Sequence, residues 1–182
     1  MSPETFDSAD GTDSTDGMDS TDGMDSTDDS TTNHATGSTP TRIAFVCVQN
    51  AGRSQMAYAF AQRERRQRGL ETKIELLTGG TRPADHVHPE VVDAMVAVDI
   101  DVSERVPRNV TFEEIESSDF VITMGCSAED VCPAGWAGEN RDWDLSDPDG
   151  RSPEVVAEIR DEIARRVSDL FDELEATARN SN

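Results

Sequence analysis

Lysine is almost missing from this chain: Lys73 is the only one, and the other fifteen of its 16 basic residues are arginine. Acidic residues number 38, which leaves a formal net charge of −22. A nucleic-acid-binding face needs a dense array of cations to displace counterions, so nucleic acid is not an expected partner. The single basic cluster, Arg63-Glu-Arg-Arg-Gln-Arg68, closes a helical stretch where cations complement the macrodipole, and it reads as a solvated helix end. Long apolar runs are also absent. Nothing approaches the roughly 18 residues of a membrane span, and the first residues lack the cationic start and apolar core of a secretory leader. No membrane association is expected. Cysteine occurs three times, at Cys47, Cys126 and Cys132. An odd, small number in a chain without a leader argues against a disulfide framework and for thiol chemistry in a cytoplasmic setting.

What the chain has in excess is negative charge. Ten of the acids and no base precede Arg42, so the remainder carries 28 acids against 16 bases, near −12. A dense acidic shell with almost no lysine suits a protein working in molar salt, where self-repulsion is screened. A halophilic cytoplasm is the expectation. Residues 1–40 contain SADGTDSTDGMDSTDGMDSTDDSTT, a short Ser-Thr-Asp-Gly repeat nearly free of large apolar residues. Such a segment buries too little surface to offset the entropy of ordering and is expected to be a disordered tail. Its period is too short, and its faces too polar, for a solenoid. One domain is then expected over residues 41–176, with a short tail at 177–182.

The domain opens on its most informative stretch. Arg42-Ile-Ala-Phe-Val-Cys47 is an apolar run of the kind a buried parallel strand shows, with the strand expected over 43–46. The loop Val48-Gln49-Asn50-Ala51-Gly52 follows, then Arg53, Ser54 and a helix to about Gln67 in which Met56 and Phe60 sit one turn apart. Consecutive loop amides and a helix N-terminus aim positive potential at one small volume, an oxyanion cradle with a cysteine at its base. That field favours the thiolate. Arg53 adds a planar, permanently charged fork suited to two oxygens of a tetrahedral anion. Gly52 permits close backbone approach, and Ser54 can cap the helix or donate to the sulfur. A core cysteine ending a buried strand is the bland alternative.

Beyond the cradle, strand and helix signals alternate. A second strand is expected over 74–77, ending at Gly79-Gly80, and a helix from His88-Pro89 through Val98 with Val91, Met95 and Val98 on its apolar face. Thr111-Phe-Glu-Glu-Ile115 opens a short helix with a Thr-x-x-Glu capping box. Phe120-Val-Ile-Thr-Met124 gives a third buried strand, and a segment around Trp143 supplies a fourth. A final helix starts at Ser152-Pro153, with Val156, Ile159, Ile163, Val167, Leu170 and Leu174 along one face. The fold class expected is α/β: a small doubly wound, mostly parallel four-stranded sheet with helices on both faces. Ligands of such sheets bind at the carboxyl ends of the strands, so Cys47 and Cys126 are expected to face one crevice.

Cys126-Ser-Ala-Glu-Asp-Val-Cys132-Pro133 places two thiols six residues apart in what reads as a loop. Redox exchange, a structural role, and zinc remain as readings, zinc least so because its ligand pairs stand closer together and need a fourth ligand. Asp142-Trp-Asp-Leu-Ser-Asp147-Pro148-Asp149-Gly150 is on its own a turn signal. Beside an oxyanion cradle, a loop carboxylate such as Asp147 is the natural proton donor to a departing oxygen.

These residues resemble the low-molecular-weight tyrosine phosphatase fold family, which has a Cys-x5-Arg-Ser loop near its start and an Asp-Pro loop near its end. Within it the thioredoxin-coupled arsenate reductases are the closer match, through Arg53-Ser54-Gln55-Met56-Ala57, Val121-Ile122-Thr123-Met124-Gly125-Cys126, Cys132-Pro133 and Asp142-Trp143-Asp144. The likeness runs from Arg42 to about Phe171. It implies that Cys47 attacks arsenate held by the 48–54 loop and Arg53 while Asp147 protonates the leaving oxygen. Cys126 then attacks Cys47, and Cys132 attacks Cys126. A thioredoxin-like dithiol reduces the Cys126–Cys132 pair. No metal or organic cofactor is implied by the relay, and a monomer is expected. Family members of this kind often carry a further cysteine where this chain has Gly52, and a glutamate tied to a bound potassium ion where it has Tyr58. Asn50 matches and is expected to hold the loop shape. The alternative activity is hydrolysis of phosphotyrosine or small phosphomonoesters by the same Cys47, Arg53 and Asp147. That reading lacks the aromatic usually found after Asp-Pro, where Asp149-Gly150 stands. A non-enzymatic alternative is an arsenite sensor using the three thiols, which would have no need of Arg53.

Removing residues 1–39 is expected to leave turnover intact, measured as kcat of the truncated chain beside the full one in high salt; a lost or strongly reduced kcat would give the tail a role.

Overall fold

The computed structural model describes residues 39–180. The tail expected over 1–40 therefore lies outside the described residues except for its last two. Among the described residues nine elements follow in order: β1 Thr41–Cys47, α1 Arg53–Gln67, β2 Ile74–Gly80, α2 Pro89–Val96, α3 Phe112–Glu116, β3 Phe120–Met124, α4 Ala128–Val131, β4 Glu139–Asp142 and α5 Pro153–Asn180. The four strands form one parallel sheet in the order β2-β1-β3-β4. β1 is thus interior, with Cys47 paired across to Gly80 on one side and Met124 on the other. Chain order reverses direction between β1 and β3, which places the crevice of a doubly wound sheet at their carboxyl ends.

Side-chain alternation along β1 assigns the two faces. Ile43, Phe45 and Cys47 join the larger core with Met56 and Phe60 of α1, Val91 and Met95 of α2, and Val156, Ile163, Val167 and Phe171 of α5. Ala44 and Val46 point the other way, into a smaller cluster with Ile115 of α3, Val121 of β3 and Val131 of α4. Helices therefore cover both faces, as an all-parallel sheet requires. The long helix α5 buries the face expected from its 3.6-residue period, with Phe171 added to it. Thr111 caps α3 through the expected reciprocal box: its side chain accepts from the Glu114 N–H while the Glu114 carboxylate accepts from the Thr111 N–H.

Several boundaries differ from the expectation. β1 runs through Cys47, because the sheet pairing continues to that residue on both sides. The edge strand is Glu139–Asp142, just before Trp143; its polar Glu-Asn-Arg-Asp carries no apolar alternation to announce it. Trp143 instead enters the core, its ring 6.1 Å from that of Phe45. α2 ends at Val96, and α5 continues to Asn180, past the boundary expected at 176. Between Cys126 and Cys132 the chain forms the helical turn α4, capped by the Ser127 hydroxyl accepting from the Glu129 N–H at 3.2 Å. The basic run of α1 is also not simply solvated. Arg68 binds Glu64 on its own helix and Asp172 and Glu175 on α5, at 2.6 to 2.8 Å.

Phe45 is fully buried at the centre of the sheet. Phe45→Ala is expected to destabilise the protein by about 3–5 kcal/mol, read from chemical denaturation in high salt. A loss below about 1 kcal/mol would mean that the site collapses around the change.

Candidate active site at the carboxyl edge of the sheet

The base of the site is the last residue of β1. Cys47 is 3% exposed, and its Sγ receives the Asn50 N–H at 3.2 Å and lies 2.9 Å from Ser54 Oγ. Ser54 Oγ also accepts from Asn50 Nδ2 at 2.9 Å, which leaves its own proton for the sulfur. Ser54 thus serves the sulfur and not the helix end. The N-cap position of α1 is Gly52, without a side-chain cap.

Asn50 shapes the loop. Its φ of 51° lies in the left-handed region that asparagine tolerates. The side chain is fully buried. Nδ2 donates to Ser54 Oγ and to Thr78 Oγ1, both at 2.9 Å, while Oδ1 accepts from Gln55 Nε2 and the Arg108 N–H, both at 3.1 Å. All four hydrogen-bonding positions of the amide are filled.

The loop's carbonyls are engaged on its outer side. Those of Cys47, Val48, Gln49 and Ala51 accept from the N–H groups of Thr81, Arg82, Ala84 and His88 at 2.8 to 3.3 Å. That leaves the amides turned toward the recess, together with the open first turn of α1. Gly80 makes this approach possible: a Cβ there would stand 2.6 Å from the Val48 carbonyl oxygen.

Arg53 is 8% exposed and lines the same recess as Cys47. Its Nη1 donates to the Leu145 carbonyl at 2.9 Å and its Nη2 to Asp147 Oδ2 at 2.6 Å. Gly125, at φ +75°, lies flat beneath the guanidinium, where a Cβ would come within 2.5 Å of Nη1. Asp147 is half-exposed and accepts the Asp149 N–H through Oδ1 at 3.2 Å. Cys47, Gln49, Gly52, Arg53, His88 and Asp147 line one small recess open to solvent. Cys47, the 48–54 loop and Asp147 are thereby brought together as expected.

Cys126 follows β3 and faces the same edge. Its Sγ donates to the Val46 carbonyl at 3.7 Å. Burial pushes its thiol up to about 11, the negative potential of Cys47 and Asp142 adds to that, and Arg53 draws it back. Cys132 ends α4, its thiol also raised by burial. Both thiols pack against the smaller apolar cluster, and all three cysteines are free. Among the described residues no group of three or more His, Cys, Asp or Glu side chains is placed to hold a metal ion, so the zinc reading has no ligand set.

Two residues of the site carried no sequence signal. His88 Nε2 meets Gln49 Oε1 at 2.9 Å, and Glu90 Oε1 accepts the Gly150 N–H at 2.7 Å. Both stand at the start of α2, far in sequence from what they touch. Gly80 and Gly125 had a usable signal, each being a glycine at the end of a buried strand.

A buried cysteine and a buried arginine lining one recess at a strand-loop-helix turn are the apparatus of an oxyanion-handling phosphatase fold. The chain belongs to the low molecular weight phosphotyrosine protein phosphatase family, whose model matches residues 42–180. It is 56% identical over 138 residues to a Halobacterium salinarum protein provisionally named an arsenate reductase, covering 76% of this chain and 96% of that one. To the glutaredoxin arsenate reductase of Synechocystis it is 32% identical over 133 residues, covering 71% and 95%. The solved structure of a thioredoxin-dependent arsenate reductase from Corynebacterium glutamicum superposes with a TM-score of 0.63 at 32% identity, over 77% of this chain. This chain spans 64% of that one's length.

With its thiol raised to about 11, Cys126 has a thiolate fraction that rises tenfold per pH unit below that value. Alkylation of Cys126 by iodoacetamide, followed by mass spectrometry, is expected to accelerate with unit slope from pH 7 to 10 and not to level off. A curve that bends over near pH 9 and levels off by about pH 10 would place the thiol in an unperturbed environment.

Proposed function

We propose that the protein reduces arsenate to arsenite through Cys47, Cys126 and Cys132. The observation that carries this reading is a second thiol, Cys126, two residues past the Met124 that pairs with Cys47 across the sheet, with its Sγ donating to the Val46 carbonyl next to Cys47. Phosphoester hydrolysis needs the first and has no use for the second. The arsenate reductases among the relatives support the same reading.

Arsenate binds to the loop amides and Arg53. The Cys47 thiolate attacks arsenic, an arsenic–oxygen bond breaks, and Asp147 protonates the oxygen, which leaves as water. The Cys126 thiolate then attacks Cys47 Sγ. A sulfur–sulfur bond forms as the sulfur–arsenic bond breaks, its electron pair stays on arsenic, and arsenite departs. Cys132, deprotonated in turn, attacks Cys126, moving the disulfide to the α4 turn and restoring the Cys47 thiolate. Two electrons from a thioredoxin- or glutaredoxin-like dithiol reopen Cys126–Cys132. Burial raises both Cys126 and Cys132, so each has to lose its proton in the step in which it attacks.

The setting we infer is a cytoplasm of high salt: the charge of −22 and the halobacterial relative both favour it, and free thiols suit a reducing compartment. Among the described residues no helix is long and apolar enough to cross a membrane. A potassium ion has no part in the proposal. At Tyr58 the ring carries the Arg105 guanidinium at 5.1 Å, and a buried Arg105 Nη1 there lacks an acceptor among the described residues. A second cation would face that fixed positive charge, and Asn50 Oδ1 is already filled by two donors. The family match keeps phosphomonoester hydrolysis as a second activity of the same cradle, since phosphate and arsenate are alike in shape and charge.

Cys132→Ser is expected to release one equivalent of arsenite and then stop with Cys47 and Cys126 joined, while Cys47→Ser releases none. Arsenite assay and disulfide mapping read both. Sustained cycling of Cys132→Ser with a dithiol reductant would remove Cys132 from the relay.

A further inference from the structure

Asp147 belongs to a loop with no regular structure, is half-exposed, and still meets Arg53 at 2.6 Å. Something holds the loop there. Three contacts do so, and only the first belongs to the machinery already described. Arg53 takes the Leu145 carbonyl and the Asp147 carboxylate. Pro148 lies directly on Gly52, where a Cβ would come within 2.8 Å of the proline Cγ and 3.6 Å of His88 Cδ2. The start of α2 grips the far side of the loop: Glu90 Oε1 accepts the Gly150 N–H at 2.7 Å, and His88 Nδ1 stands 3.9 Å from Asp149 Oδ1.

The same short segment is anchored to the cradle. The His88 N–H donates to the Ala51 carbonyl at 3.0 Å, and its ring meets the Gln49 side chain at 2.9 Å. The His88 carbonyl accepts from Val91 and Val92 in the first turn of α2, and Val91 is fully buried. One rigid helix start thus touches the oxyanion loop with its first residue and the acid loop with its third.

We propose that Glu90 and His88 are positioning residues that hold Asp147 over the oxyanion cradle, and that the bare backbone of Gly52 is what lets the loop lie that close. This rests on Asp147 as the proton donor. Glu90 is a durable acceptor for the loop. Its carboxylate is kept below the usual range by its own N–H and by that of Gly150, so it stays charged while it holds the hydrogen bond. Contacts that hold the acid loop against the cradle keep the proton donor in place for the reaction. A bulkier residue at position 52 would push Pro148 outward and with it the proton donor.

A double-mutant cycle on single-turnover arsenite release tests this. Glu90→Ala is expected to slow release by roughly 10- to 100-fold. Glu90→Gln, which keeps the acceptor oxygen, should recover most of the rate. Arsenate affinity, read from protection of Cys47 against iodoacetamide, should change less than about threefold, because the cradle is untouched. In an Asp147→Asn background, Glu90→Ala should cost nothing further, since a positioning residue has no effect once its target is gone. Multiplicative losses in the double variant, or equal losses in Glu90→Ala and Glu90→Gln, would overturn the proposal. So would a Glu90→Ala chain that reacts at the wild-type rate. If the wild-type chain releases no arsenite, the reductase reading fails by itself, and the same cycle on p-nitrophenyl phosphate hydrolysis decides the positioning role.

Discussion

One buried amide organises the reactive edge of this protein. Asn50 sits in a left-handed conformation inside a five-residue loop, a geometry most side chains resist. It persists because both donors and the acceptor oxygen are saturated by α1, β2 and the Arg108 backbone. Leaving any of these unpaired in the interior would cost about 1–3 kcal/mol, so the loop has a single well-determined shape. From that shape the rest follows: the Asn50 N–H reaches Cys47, Ser54 is turned to the sulfur, and the loop carbonyls face outward to the 81–88 segment.

The electrostatic layout then divides the three thiols by role. Cys47 ends the interior strand, its sulfur met by the Asn50 N–H and the Ser54 hydroxyl. Cys126 lies one strand across, where burial dominates and the arginine is too far to offset it. Cys132 sits on the far side of one helical turn. Exchange along the three sulfurs requires each attacking thiol to be deprotonated as its predecessor becomes electrophilic, and burial at Cys126 and Cys132 opposes that ionisation.

The acidic composition has a structural counterpart in the arginines. Arg68 joins α1 to α5, Arg141 joins β4 to Glu173 of α5, and Arg42 joins β1 to Glu75 and Ser117. Where lysine would offer a hydrated point charge, arginine offers a fork that meets several carboxylates at once. Exposed pairs of this kind contribute little each, less still when salt screens them. The two apolar clusters flanking the sheet carry the fold.

The cradle was readable in the sequence because its causes are local. An apolar run makes β1, a glycine and an asparagine make the loop, and α1 begins within seven residues of the cysteine. The apolar stripe of α5 and the capping box of Thr111 are equally local, set by helical spacing and by neighbours three residues apart. Asp147 was readable only as a turn with a carboxylate. Its partnership with Arg53, 94 residues away, exists because β3 and β4 bring the loop back to the edge where β1 ends. α4 is too short to leave a periodic signature and did not show, and β4 is too polar for its bounds to be read, so the fourth strand was expected around Trp143 and stands just before it. The contacts of Glu90 with Gly150 and of His88 with Gln49 span 60 and 39 residues. The order of amino acids decides what each residue can donate, accept or bury. Which groups meet depends on a parallel sheet whose register is set by burial on both faces at once, and that is a property of the packed molecule alone.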